Sequence, residues 1–401
     1  MNVPNRRERR NIGVFLLFSA MYGVATNICA EGYVQAYLLR LGFDTGGIRN
    51  YGIAVQAASI AAYLLFTRLP AQKGMQKINA AAALCMGIFP AVLAVAGKLP
   101  SFAVLYIIIL CAAALHGFLT AARSVAEYNI TPYLFARSLY GSVTGKALMI
   151  GGVIPVCISL GAGFLLGRES AGVYTFLFGV CAAAFGISAV FALLYRMGGG
   201  EPGEVPPHAS LADVVRTASC ARYVKLLLPH FLRGVGMAGM YYIIPSALNN
   251  ISLAKNEEPF LIVIPVAATV AGSFLYMLLD KKMRSGAIAF SSVLACSLLM
   301  PLLVLLNQKY VFLSIYFVFF LFNIISQLSI PTGVLRSTPN SWLSLISSMR
   351  LLLMSAANSL FIFIFGLCLK FAPPVYVMLL SGTVFALCGC LYKKQFSDRL
   401  Q

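Results

Sequence analysis

Long apolar runs separated by short polar connections recur along the chain. Each run is close to the roughly 20 residues that a helix needs to cross a hydrocarbon core. The pattern predicts twelve spanning segments, at 11–39, 48–66, 78–96, 101–122, 142–166, 174–195, 224–248, 260–279, 287–306, 311–332, 344–369 and 375–392. A Gly/Pro-rich stretch from Met197 to Ser210 divides them into two sets of six. The expected fold is an all-α polytopic membrane protein: an N-terminal bundle over 1–196, a connector over 197–222 and a C-terminal bundle over 223–401. In the connector, Ser210 followed by Asp213 reads as a helix start. Leu211, Val214, Val215 and Ala218 then share a face, which predicts a short amphipathic helix on the membrane surface.

The first segment carries an acid. Glu31 lies about 12 Å in from the Leu39 end, at 1.5 Å rise per residue. A carboxyl at that depth should face protein or a wet cavity rather than lipid. Asn27, Glu31 and Gln35 are spaced i, i+4, i+8 and form one polar stripe on a continuous helix. Glu31 is therefore a candidate for proton coupling or cation binding; the alternative is a structural carboxyl bonded to a neighbouring helix.

Other polar side chains fall in particular segments. The fourth has His116 and Thr120, and the tenth has Asn323 and Gln327, both pairs spaced i, i+4. The seventh has His230, Arg233, Tyr241 and Tyr242. Segments 3, 6, 9 and 12 are nearly free of strongly polar groups in their middles. Arg233 and Arg350 lie a turn or two inside the membrane edge. Snorkelling to that edge is the expected account of both; the alternative is that they bind an anionic group on a solute.

Composition narrows the class. Of 401 residues, 60% are hydrophobic and 10% charged, which excludes an ordinary soluble domain. The net charge of +18 does not point to nucleic acid, because the basic residues fall in short connections between apolar runs. Arg68, Lys73, Lys77, Arg123, Arg137, Lys281, Lys282, Lys393 and Lys394 are among those expected on one side, with few opposite. That bias predicts both termini in the cytoplasm and a cell-membrane location. The ten cysteines form no C-x-x-C pair and read as small buried hydrophobes.

The halves show weak internal symmetry. Arg68 to Lys77 follows segment 2, and Asp280 to Gly286 follows segment 8. Segment 5 opens on Thr144-Gly-Lys146 and segment 11 on Ser348-Met-Arg350, a candidate pair of corresponding basic residues. Repeated halves place a site at their interface near the midplane.

On these residues the chain resembles the major facilitator superfamily over nearly its whole length. The family's loop motif after segment 2 is degenerate here, with Thr67, Ala71 and Gln72 at altered positions and Gly74 and Lys77 kept. After segment 8, Asp280 and Lys281 are kept, while Tyr276 and Met283 stand at the glycine positions. The resemblance implies that Asp280 and Lys281 latch the loop during a transport cycle, and that segments 1, 4, 7 and 10 line a central path. Segment 5, with Gly151, Gly152, Pro155, Gly161 and Gly163, is similar to the family's glycine-proline pattern but has no Gly-Pro pair. Small residues letting helices approach closely account for it physically.

The expected function is secondary transport of a small organic solute by alternating access. Glu31 would couple it to protons, and Asn27, Gln35, His116, Thr120, Arg233, Tyr241, Asn323 and Gln327 would line the path. A uniporter of the same fold is the nearest alternative; a membrane-embedded enzyme and a non-transporting sensor are others. The sequence holds no H-E-x-x-H helix, nucleophile elbow or nucleotide loop. No cofactor, metal or nucleic acid is expected, and the protein is expected to act as a monomer.

Overall fold

The computed structural model describes residues 6–66, 73–99, 101–135, 139–166, 172–196, 221–251, 257, 260–337 and 340–397. Fifteen helices are present among them. They are α1 (Arg6–Ile28), α2 (Glu31–Arg40), α3 (Thr45–Phe66), α4 (Lys73–Met86), α5 (Ile88–Ala96), α6 (Phe102–Leu134), α7 (Tyr140–Leu166) and α8 (Gly172–Leu193). The second half has α9 (Ala221–Met240), α10 (Ile243–Asn250), α11 (Phe260–Leu279), α12 (Ser285–Leu305), α13 (Lys309–Ser337), α14 (Asn340–Cys368) and α15 (Pro374–Ser397). Three pairs, α1/α2, α4/α5 and α9/α10, are broken halves of single segments, so the twelve expected segments account for every helix among the described residues. Eight stretches are long and apolar enough to span a membrane among the described residues, with shorter apolar helices over Val143–Ile158 and Val263–Leu279. The connector helix expected near Ser210, and the loop Thr67 to Gln72, lie outside the described residues.

The end of the bundle carrying Arg6, Phe66 and Leu134 is called basal below, and the end carrying Arg40, Thr45 and Phe102 apical. Packing repeats between the halves. In the first, segment 1 (α1) packs on α7 and α8, α3 on α6, and α4 on α6 and α8. In the second, α9 packs on α14 and α15, α11 on α13, and α12 on α13 and α15. The seam repeats too: α3 meets α14, and α7 meets α11. This is the pseudo-twofold arrangement that the sequence only hinted at.

Helices in lipid gain little from apolar burial against each other, so close backbone approach matters. A Cβ on Gly23 would lie 2.7 Å from the Gly151 Cα, and one on Gly234 would lie 2.2 Å from the Met354 carbonyl oxygen. These two contacts hold segment 1 to 5 and segment 7 to 11, in equivalent places in the halves. Gly117 does the same between α6 and α3, where a Cβ would meet the Val55 carbonyl at 2.2 Å.

Helix ends depart from the hydropathy pattern where polar residues continue a helix inside protein. The fourth segment runs twelve residues past its expected end at 122, because Ala126, Ile130 and Leu134 are buried against the first half's core. Arg123, expected in a basal connection, is therefore inside α6, and Glu127 is a second acid within a span. The pair forms an ion pair along one helix face, and the Arg123 guanidinium lies 4.0 Å over the Tyr22 ring. Basal ends are tied by amides: Asn11 Nδ2 donates to the carbonyls of Leu134 (3.1 Å) and Arg196 (3.0 Å).

The cysteines also differ from expectation. Cys181, Cys296 and Cys388 are buried, but Cys111, Cys157, Cys368 and Cys390 are exposed. Long apolar helices that face lipid leave such side chains on the outside of the bundle.

Gly117→Val should lower thermal stability of the detergent-purified protein by about 1–3 kcal/mol through overpacking. Gly13→Ala, with nothing within 4 Å of its added Cβ, should leave it unchanged. Equal melting curves for the two variants would contradict the close-approach account.

Candidate functional site

The first segment is not one helix. It stops at Ile28 and resumes at Glu31, so the stripe of Asn27, Glu31 and Gln35 is interrupted. The break is kept in order by local bonds: Cys29 N–H donates to the Ala25 carbonyl (3.0 Å), and Ala30 N–H to Asn27 (3.2 Å). Cys181 Sγ, from α8, reaches the same Ala25 carbonyl at 3.1 Å and lies 3.2 Å from Cys29 Sγ. Glu31 stands in the first turn of α2, where a negative charge is favoured by the helix dipole.

The seventh segment breaks in the corresponding place. α9 ends at Met240 and α10 starts at Ile243, with Tyr241 and Tyr242 between them. The two breaks are joined directly, because Gln35 Nε2 donates to the Tyr241 carbonyl at 3.2 Å. Irregular backbone at membrane depth is tolerated where it lines a cavity or is buried in protein. Both conditions are met here.

A cavity of about 290 Å³ lies at the seam beside these breaks. Cys29 and Glu31 line it from segment 1, and Met237 and Tyr241 from segment 7. From α3 come Tyr51, Gln56, Ser59 and Tyr63, and from α6 His116 and Thr120. α14 adds Met354, Ser355 and Asn358. Glu31 is exposed, and its place on this wall identifies the space it is exposed to. Among the described residues no lysine or arginine is on the wall.

Several wall groups have unmet bonding capacity. Asn358 Oδ1 and His116 Nδ1 are buried without a hydrogen-bond partner. The His116 ring is held by Phe89 (5.0 Å) and Phe185 (6.0 Å). Thr120 reaches only the Met86 sulfur, at 3.9 Å. A polar solute can satisfy such groups, and unpaired buried polar atoms are otherwise costly.

The apical side of the cavity is closed by contacts between the halves. Tyr241 Oη donates across the seam to the Ile48 carbonyl (2.9 Å), while Tyr242 Oη donates within the second half to the Ile362 carbonyl of α14 (2.6 Å). The Arg49 guanidinium lies 5.6 Å from the Phe363 ring centre. Ile48 and Tyr51 from the first half and Tyr241 and Tyr242 from the second belong to one buried apolar cluster, so this closure is packed as well as hydrogen-bonded.

The remaining expected residues lie elsewhere. Asn27 Nδ2 is bonded to the carbonyls of Gly23 (2.8 Å) and Gly151 (3.3 Å), facing α7 rather than the cavity. Gln35 bridges the breaks, as above. Asn323 is buried with Oδ1 unpartnered, and Gln327 is exposed; neither lines this cavity. Segment 10 thus contributes nothing to the described wall, and segments 2 and 11 take the place that the resemblance assigned to it. Asp280 Oδ1 accepts a bond from Tyr276 Oη at 3.3 Å, while Lys281 is exposed. Lys146 is exposed and Arg350 buried, so this corresponding pair occupies unlike surroundings. Arg233 and Arg350 do not snorkel: they are 6% and 4% exposed. The turn-by-turn spacing of Tyr51, Gln56, Ser59 and Tyr63 was visible in the sequence as a polar stripe, and it would have identified segment 2.

No family model matches the sequence, and no curated protein matches it. Solved structures match over nearly the whole chain. The fucose:proton symporter of E. coli superposes with a TM-score of 0.66 at 12% identity, covering 99% of this chain and all of that one. The human organic anion transporter MFSD10 gives 0.65 at 11%, covering 97% and 100%. The nucleoside transporter NupG gives 0.62 at 11%, covering 98% and 100%. The chain has the major facilitator fold. Its helices make it an integral, multi-pass membrane protein.

A water-soluble maleimide should label Asn358→Cys, on the cavity wall, at least about tenfold faster than Asn27→Cys, which is packed between two helices, in a background lacking native cysteines. Equal rates would contradict the cavity's position.

Proposed function

We propose that the protein is a secondary transporter that moves a small polar organic solute by alternating access, coupled to protons through Glu31. The observation that carries this reading is a single carboxyl group on a seam cavity, at a break in the helix that bears it. A membrane acid in a wet cavity is a natural site for loading and unloading a proton. The break lets α2 turn independently of α1, so a change in the charge of Glu31 can bear on the Gln35–Tyr241 bridge one turn away.

The cavity is at the lower end of ordinary ligand-site volumes, which suits a solute of about monosaccharide size. Its tyrosines offer flat faces; Gln56, Ser59, Thr120, Ser355 and Asn358 offer hydrogen bonds. Asn27, Gln35 and Tyr241 act in this reading as structural parts of the gate rather than as solute ligands. Asp280 and Lys281 serve the basal loop. Asn323 and Gln327 join the path only in a state other than the one described here. Neighbours of the same fold carry names of sugar, nucleoside and anion transporters, which supports transport as the activity class and leaves the solute to the cavity's chemistry. The basic bias of the expected basal connections supports cytoplasmic termini in a cell membrane, and a monomer suffices because both halves of the seam come from one chain.

In sealed vesicles of reconstituted protein, an imposed proton gradient should drive accumulation of the solute. Glu31→Gln should abolish the driven accumulation while leaving solute exchange across the membrane within about threefold of the parent. Gradient-driven accumulation unchanged in Glu31→Gln would overturn the coupling; no flux of any solute that stabilises the protein would overturn transport.

A further inference from the structure

Two buried guanidinium groups lie just basal of the cavity. Arg233 is four residues from Met237 on α9, and Arg350 is four residues from Met354 on α14; both methionines line the cavity. Residues four apart share a helix face, so each arginine stands one turn, about 6 Å, below a wall residue. The two helices touch at this level, where Gly234 meets the Met354 carbonyl. Both arginines are within electrostatic reach of His230 and Tyr392, and Arg350 is within reach of Tyr63 on the cavity wall.

Neither arginine has a carboxylate partner among the described residues. The Nε atoms of both are buried and unbonded, as is His230 Nε2. Arg350 Nη2 donates to Tyr128 Oη at 3.1 Å, a neutral acceptor from the other half. His230 Nδ1 is 2.7 Å from Tyr392 Oη. Arg123 shows how this chain treats a structural buried arginine: it supplies Glu127 one turn away. Burying a cation without an opposite charge is strongly unfavourable, and doing so twice in one place calls for an anion from outside the chain. Guanidinium groups suit carboxylate and phosphate by paired, charge-assisted bonds.

We propose that Arg233 and Arg350, with Tyr128, form an anion subsite at the basal floor of the cavity that receives a carboxylate or phosphate group of the transported solute. The inference rests on the transporter reading above and narrows its substrate class to small organic anions. With the halves bridged by Arg350–Tyr128, an arriving anion competes for the guanidinium and loosens a seam contact as it binds.

The test is thermal unfolding of the full chain in mild detergent, titrated with inorganic phosphate against chloride at constant ionic strength. Ligand binding raises the unfolding temperature by mass action. The parent protein should show a saturable upward shift with phosphate. Arg350→Gln and Arg233→Gln should weaken the apparent affinity at least about tenfold, and Arg350→Lys should weaken it less. Lys146→Gln, an exposed residue away from the cavity, should bind phosphate like the parent. Without phosphate, Arg233→Met should melt no lower than the parent, because it removes an unpaired buried charge; a lower melting temperature would count against the inference. It is overturned by the absence of a saturable shift in the parent, by undiminished shifts in the Gln variants, or by a response to phosphatidylglycerol nanodiscs with none to free phosphate, which would assign the arginines to a lipid headgroup. Absence of proton-driven accumulation in the parent protein, with phosphate binding intact, would defeat the coupling reading alone.

Discussion

Backbone that leaves the helix inside a membrane must find partners, and this constraint shapes the centre of the molecule. Segment 1 opens at Cys29–Ala30 and segment 7 at Tyr241–Tyr242. Each break exposes peptide groups that lipid cannot satisfy. The fold puts the two breaks beside one another, where Gln35 from one serves the carbonyl of the other. The space next to them is the cavity, and the acid at the start of α2 opens onto it. The cavity and the contact that closes it thus both adjoin one local departure from helix, repeated by pseudo-symmetry.

The same economy governs charge. Inside the first half, Arg123 is neutralised by Glu127 and stacked on Tyr22. Around the cavity the charges are left separate: a carboxyl on the wall, two guanidinium groups one turn below it, and no pairing between them. Groups kept apart can respond to a proton and to a solute independently. Tyr241 and Arg350 both bridge the halves, at opposite ends of the cavity, and the proposed coupling would act through these two contacts.

Much of the architecture was legible in the sequence. Apolar runs of bilayer length predicted twelve segments, and Glu31 stood out because nothing else in its run was charged. The break at Cys29 was not legible, since no proline marks it and it depends on contacts from α8 and on Asn27 bonding backward to Gly23; the one at Tyr241 has a mark in Pro245, which lacks the N–H that would bond the carbonyl four residues back. The extension of α6 past 122 was hidden for a related reason. Its residues are polar on average, and only burial of every third or fourth one keeps them helical. Arg233 and Arg350 looked like edge residues by position alone. Their burial depends on the tight approach of α9 to α14 at Gly234, which spacing along one segment cannot reveal. Asn323 and Gln327 had the spacing of a lining pair, yet α13 turns them away from the described cavity.

The central claim is that the Glu31 carboxyl exchanges protons with water inside the membrane-embedded protein. Infrared difference spectroscopy of the reconstituted protein, cycled between acid and alkaline buffer, measures this directly. The account predicts a protonated-carboxyl stretch that appears and disappears reversibly with bulk pH and is missing from Glu31→Gln. A spectrum in which Glu31→Gln removes no pH-dependent carboxyl band would contradict it.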